Sequence, residues 1–275
     1  MSGFKVACIW RECKRVPEWV SRTLESHGIE FVEQNCKSSE QVLELGADAD
    51  VIWVMGSGRL IPAGMLPMCT RCGAIICSGS GTDSVPVSAA TKLGIIVANT
   101  PDATAIPVAE HAIALLLAVC RLIPFHDQKL RAGVWSRLDP VPLIIHNKTA
   151  GLVGFGRISR GVAERLTPFG MRLLAYDPFV DDNEMAAADV EPADWTELLS
   201  ESDFISVHVP LLESTHHLIG EAELKQMKPT SVLINTCRGP VVDTAALATA
   251  LKRKAGLRLR ASTFSRASRR QRMIR

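Results

Sequence analysis

The stretch Gly151-Leu-Val-Gly-Phe-Gly-Arg-Ile-Ser159 decides how this chain is read. An apolar run, Thr149–Val153, has the pattern of a short strand and leads straight into Gly154-x-Gly156. The pattern over Arg157–Phe169 is helical. Glycines at such a turn permit the tight bend and let the backbone approach a pyrophosphate. Free N–H groups at the start of the helix then bind the phosphate charge. Ser159 stands where GxGxxG has its third glycine, so helix–strand packing must accommodate a hydroxymethyl group. The next strand is Met171–Tyr176, and Asp177 ends it, 23 residues after Gly154. An acid at that place hydrogen-bonds a ribose 2′-OH. Its charge would repel a 2′-phosphate, and Pro178 follows rather than an arginine, which favours NAD over NADP. A glycine pair alone could be a structural turn. Strand, glycines, helix, strand and terminal Asp in this order point to nucleotide binding.

Outward from this unit, short apolar runs alternate with amphipathic stretches, the signature of parallel α/β sheets. Earlier strands are predicted at Lys5–Trp10, Glu30–Glu33, Val51–Met55, Ala74–Cys77 and Ile95–Ala98, with helices at Pro17–Ser26, Ser39–Leu45 and Val87–Lys92. After a break at Asn99-Thr-Pro-Asp102, one long helix is predicted from about Pro107 to Ala132. Its apolar middle, Ala112–Ala118, is expected to be buried between layers. Asp139-Pro-Val-Pro142 reads as a loop. Later strands are predicted at Phe204–His208 and Ser231–Asn235, and helices at Glu221–Met227 and Thr244–Lys252, the latter capped by Asp243. No internal repeat is visible. The chain reads as α/β with two doubly wound parallel-sheet domains joined near residues 99–106.

The composition of the 275 residues, 47% hydrophobic and 22% charged, is that of a soluble globular protein. The longest apolar run, Ile113–Cys120, is far short of a bilayer span, and the N-terminus carries no signal-peptide core. The expectation is a cytoplasmic protein with no membrane partner. The net charge of +2 hides an asymmetry. Residues 251–275 hold ten Lys/Arg and no acid, whereas residues 1–250 carry a net of −8. An acidic body argues against a nucleic-acid partner. The eight cysteines are scattered and read as small buried hydrophobes. Cys69-Thr-Arg-Cys72 has no second ligand pair at zinc spacing, so no metal is expected.

The chain resembles the D-isomer-specific 2-hydroxyacid dehydrogenases, and within them the phosphoglycerate dehydrogenase-like branch. The resemblance runs from residue 1 to about 254. It rests on Gly79-Ser-Gly-Thr-Asp83, Ala89–Val97, Asn99-Thr-Pro101, Val108-Ala-Glu-His111, Gly154-Phe-Gly-Arg-Ile158, Ala175-Tyr-Asp-Pro178, His208-Val-Pro-Leu-Leu212 and Ile234-Asn-Thr-Cys-Arg-Gly-Pro-Val-Val-Asp243. It implies a flavodoxin-like substrate domain (1–100), a Rossmann NAD-binding domain (101–254), a cleft between them, and a homodimer formed through the NAD-binding domain. It implies reversible hydride transfer between NAD(H) and a small 2-hydroxy/2-oxo acid, using an Arg, a Glu and a His. Arg238 matches the arginine, whose permanently charged fork suits a carboxylate. Ser80 and Gly81 match the loop that contacts substrate and nicotinamide. Gly154, Gly156, Arg157, Ile158 and Asp177 match the pyrophosphate and ribose positions. His208, Val209, Pro210, Thr236 and Cys237, with Arg238, match positions lining the cofactor. His111, His208, His216 and His217 do not match the catalytic histidine, and Glu110 reads as structural rather than as the acid.

The family pattern stops near Lys254. Beyond it the resemblance implies a strand carrying an Asp and the Glu, then the His, then a helix that returns to the first domain. A shifted codon reading from Lys254 permits Gly-Val-Asp-Val-Phe followed by Glu-Pro, in register. Much of that string depends on synonymous codons, but Met273 followed by Ile274 forces Asp, and Thr263 followed by Phe264 forces an apolar residue. Residues 255–275 are therefore expected to be a frameshifted, disordered basic tail, leaving an impaired enzyme with an incomplete first domain and an unpaired strand edge in the second. The alternative is a non-catalytic, NAD-binding, corepressor-like regulator.

Overall fold

The computed structural model describes residues 3–10, 16–56, 58–135, 140–253 and 261–263. Clustering of the backbone divides the chain into Met1–Thr104 and Ala105–Arg275.

The first unit runs β1 (Lys5–Trp10), α1 (Glu18–Ser26), β2 (Glu30–Asn35), α2 (Ser39–Gly46), β3 (Val51–Met55), a 3-10 turn (Ala63–Met68), β4 (Ala74–Cys77), α3 (Val87–Lys92) and β5 (Ile96–Asn99). All strands are parallel, in the order β2-β1-β3-β4-β5. This is the flavodoxin-like doubly wound order. The alternation of β3 explains its packing. Ile52 and Val54 point into a core with Ile75 of β4, Val42 of α2, Leu66 and Ala90, whereas Val51, Trp53 and Met55 on the opposite face stay half-exposed. Ser38 caps α2 by accepting from the Gln41 amide. Cys69 and Cys72 are buried, and their thiols donate to the carbonyls of Met65 and Ala74. Burial pushes both thiols above their ordinary range.

Helix α4 (Asp102–Cys120) carries the chain into the second unit, followed by α5 (Ile123–Arg131), β6 (Thr149–Val153), α6 (Arg157–Leu166), β7 (Arg172–Tyr176), α7 (Asp182–Ala186), β8 (Glu191–Pro192), α8 (Trp195–Glu201), β9 (Phe204–Val207), α9 (Glu221–Gln226), β10 (Val232–Asn235), α10 (Thr244–Arg253) and β11 (Ala261–Thr263). The sheet is parallel throughout, in the order β11-β10-β9-β6-β7-β8. One core packs α4 and α6 on one face, and a second packs α8, α9 and α10 on the other. Gly151 is needed inside β6, because a Cβ there would run into Ser202 and Leu198 of the second layer.

The structure corrects three expectations. The long helix of 107–132 is two helices, because Leu122 takes a left-handed φ of 58° between them. In Ala112–Ala118 only Ala112 and Leu116 are buried. Among the described residues α4 is long and apolar enough to cross a membrane; it buries Ala109, Ala112, Leu116 and Cys120 in the core, while Ile106 is exposed. The edge of β10 expected to be unpaired holds β11, with Leu233–Asn235 opposite Ala261–Thr263. The rest of the basic end, 255–260 and 264–275, lies outside the described residues.

Candidate functional site

The order of the second sheet reverses between β6 and β9. Ligands of doubly wound sheets bind outside the carboxyl ends of the strands at such a point. Gly154 leaves β6 with φ +83°, and a Cβ there would lie 2.8 Å from Val209 Cγ1 and 2.9 Å from the His208 carbonyl. Only glycine allows β6 to end this close to the exit of β9. Gly156 caps α6, with no side-chain cap and open space where its Cβ would stand. No side chain covers the first-turn amides of α6 from Gly156, the arrangement that binds phosphate groups. Arg157 is exposed at the first position of the helix and Ile158 is half-buried.

Asp177 follows β7 and faces the turn. Its Oδ2 accepts from the Phe155 amide at 2.8 Å and its Oδ1 from the Phe179 amide at 2.9 Å. Ser159 is fully buried and its hydroxyl donates to the Gly154 carbonyl. The hydroxymethyl group that sequence reasoning treated as a burden on packing is a hydrogen-bonded part of the turn.

Two further strand ends meet this place. His208 and Thr236 directly follow β9 and β10, and each holds a buried polar atom without a partner, Nδ1 of His208 and Oγ1 of Thr236. His208 Nε2 shares a hydrogen bond of 2.8 Å with Ser206 Oγ. Burial pushes the His208 imidazole down to about 4, so it is neutral at pH 7. Val209 is half-buried and Pro210 exposed. Cys237 donates from its amide and its thiol to Asn235 Oδ1, and Asn235 Nδ2 donates back to the Arg238 carbonyl at 2.9 Å. Asn235 thus folds the loop that carries Arg238, a role the sequence signals by an Asn directly after an apolar strand. Burial raises the Cys237 thiol. Arg238 is partly exposed and donates from Nη1 to the Cys237 carbonyl.

Ser80 and Gly81 lie in the first unit, beyond the carboxyl end of β4. Their loop is held by the Gly79 amide donating to Thr100 Oγ1 and by Asn99 Nδ2 donating to the Ser80 carbonyl, both at 2.8 Å. His111, His216 and His217 sit elsewhere in the second unit. His111 is exposed on α4 beside Glu110, whose carboxylate lies 3.6 Å from Arg165. His216 and His217 stack with centroids 4.0 Å apart, and His217 lies 3.8 Å from Asp243. Among the described residues no group of three or more His, Cys, Asp and Glu could hold a metal ion.

The model of the D-isomer specific 2-hydroxyacid dehydrogenase NAD-binding domain matches residues 113–258. D-3-phosphoglycerate dehydrogenase of Methanocaldococcus jannaschii is 38% identical over 216 residues, 78% of this chain and 41% of that protein. Glyoxylate reductase of Thermococcus gammatolerans is 38% identical over 253 residues, 85% of this chain and 75% of that protein. An acyclic imino acid reductase solved with NADPH and D-Arg superimposes with a TM-score of 0.85 at 30% identity, covering 95% of this chain and 83% of the other. The chain spans about two fifths of the length of the phosphoglycerate dehydrogenases it matches.

Proposed function

The chain belongs to the D-isomer-specific 2-hydroxyacid dehydrogenase family, and from that premise we propose that it acts on the CH–OH group of a D-2-hydroxy acid or on the matching 2-oxo acid. The observation that carries this reading is the switch point itself. Gly154, Gly156 and the amides of α6 form an anion cradle, Asp177 directly follows the adjacent strand, and Arg238 lies in the loop after β10, two strands away. Bound NAD supplies the hydride acceptor. The amides of α6 hold its pyrophosphate, Asp177 accepts from its ribose hydroxyls, and the neutral His208 and the Thr236 hydroxyl offer the buried polar atoms that line it. The guanidinium of Arg238 holds the substrate carboxylate, which a permanently charged planar fork does well. In this reading 1–100 is the substrate domain, contributing Ser80 and Gly81, and 101–254 is the NAD-binding domain.

Within these 275 residues the His–Glu pair implied by the resemblance has no counterpart, and residues 255–275 contain no Glu, Asp or His. A positioned acid–base contributes ~10²–10⁴-fold. Turnover by this chain should therefore be slow although the cofactor binds. The test follows NADH absorbance with glyoxylate, hydroxypyruvate and other 2-oxo acids, comparing this chain with one whose frame is restored after Lys254. A rate at least ~10²-fold higher in the restored chain is expected. Equal rates would overturn the proton-transfer assignment. The same missing pair favours a second reading, an NAD-binding regulator, which predicts NADH binding and no turnover in either chain.

Association through the second unit is part of the proposal. Ile123, Leu130, Trp135, Val141 and Ile144 expose large apolar surface, Trp135 to 81%. Sedimentation velocity should find a dimer, and a monomer at micromolar concentration would remove this element.

A further inference from the structure

Asp177 and Ser159 reach the same peptide group from opposite sides. The amide that Asp177 Oδ2 accepts from is Phe155 N, and the carbonyl that Ser159 Oγ donates to is Gly154 O. These are the two polar ends of the single peptide joining Gly154 to Phe155. In a trans peptide they point in opposite directions, so a flip of that plane breaks both bonds at once. The plane needs holding. A flip turns on ψ of Gly154 and φ of Phe155, and Gly154, with φ +83° and no Cβ, gives the backbone its widest freedom on one side. Phe155 anchors the side chain only. Its ring is fully buried beneath the Arg160 guanidinium, 4.7 Å from the ring centroid, and this leaves the orientation of its amide unset.

We propose that Asp177 and Ser159 clamp the Gly154–Phe155 peptide and so set the shape of the anion-binding turn. Both are positioning residues, and Asp177 serves the diphosphate as well as the ribose. The inference rests on the nucleotide reading above. It reverses a simple electrostatic expectation. By charge alone, removing a carboxylate beside the turn should tighten binding of an anion. If the carboxylate clamps the turn, its removal loosens the cradle and weakens that binding.

The probe is 2′,3′-dideoxyadenosine 5′-diphosphate, which has no ribose hydroxyl for Asp177 to read. It is titrated calorimetrically into the full chain, with NAD in parallel. Asp177→Ala should weaken the dideoxy diphosphate by about fivefold or more, as loss of one hydrogen bond to a charged group would. Asp177→Asn keeps one accepting oxygen for two amides, so its binding should fall between that of the unsubstituted chain and that of Asp177→Ala. Ser159→Ala should weaken it too, and the double Ala variant should be little weaker than either single one, because both release one peptide. Unchanged or tighter binding by Asp177→Ala overturns the clamp. If the Ala variants do not fold, the unsubstituted chain decides by hydrogen exchange. The Phe155 amide should exchange about a hundredfold or more below its unstructured rate, and exchange near that rate overturns the clamp. A chain that binds neither NAD nor the diphosphate overturns the nucleotide reading together with the clamp. A chain that binds both, with no loss in Asp177→Ala, overturns the clamp alone.

Discussion

His208 makes the clearest statement about pH at the level of single residues. Its folded value is about 4 because burial disfavours the imidazolium, against about 6.5 for an exposed histidine. Above pH 6.5 neither folded nor unfolded chain is protonated there, so the residue contributes no pH slope. Between 6.5 and 4 the unfolded chain takes the proton and the folded chain refuses it, so stability falls with pH, by up to about 3 kcal/mol. His208→Gln should remove that part of the acid-side slope in urea unfolding at pH 7 and pH 5. An unchanged difference between the two pH values would mean the imidazole is not held neutral. At this scale the sequence was informative where a residue's role follows from its place in a pattern. Gly154, Gly156 and Asp177 lie at the carboxyl end of a strand or the start of a helix, as their spacing implied, whereas Arg238, which the family resemblance singled out, lies in the loop after β10. The role of Ser159 was not legible, because a hydroxyl's partner depends on which carbonyl a fold brings within reach.

Elements were legible where apolar periodicity was long. β1, β3, β4, β6 and α3 have the bounds their patterns predict. α7, β8 and α8 went unread, although Asp194 accepts from the Glu197 amide at 2.8 Å in an Asp-x-x-Glu cap that marks the start of α8. The break between α4 and α5 has a local cue too, Pro124 in the first turn of α5. The two sheets differ in cover. Among the described residues the second buries apolar clusters on both faces, whereas the first has one cluster. On its other face Trp53 and Ile76 are half-buried, and at its edge Ile96 is 67% exposed. Fully burying such a side chain stabilises by ~1.5–3 kcal/mol. The amides of β3, β4 and β5 should therefore exchange faster than those of β6, β9 and β10 in native-state hydrogen exchange. Equal, high protection in both sheets would contradict this.

For the molecule as a whole, the acidic body and basic end follow from composition, whereas the pairing of β11 with β10 follows from long-range register that composition does not carry. In the proposed function, the second unit holds NAD at the Gly154 turn and discriminates against a 2′-phosphate through Asp177. Calorimetric titration of the purified chain with NADH and, separately, NADPH tests it most directly. One NADH per chain is expected, with an NADPH affinity at least about tenfold lower, the effect of bringing like charges together in a partly buried site. No NADH binding, or equal affinity for the two, would contradict it.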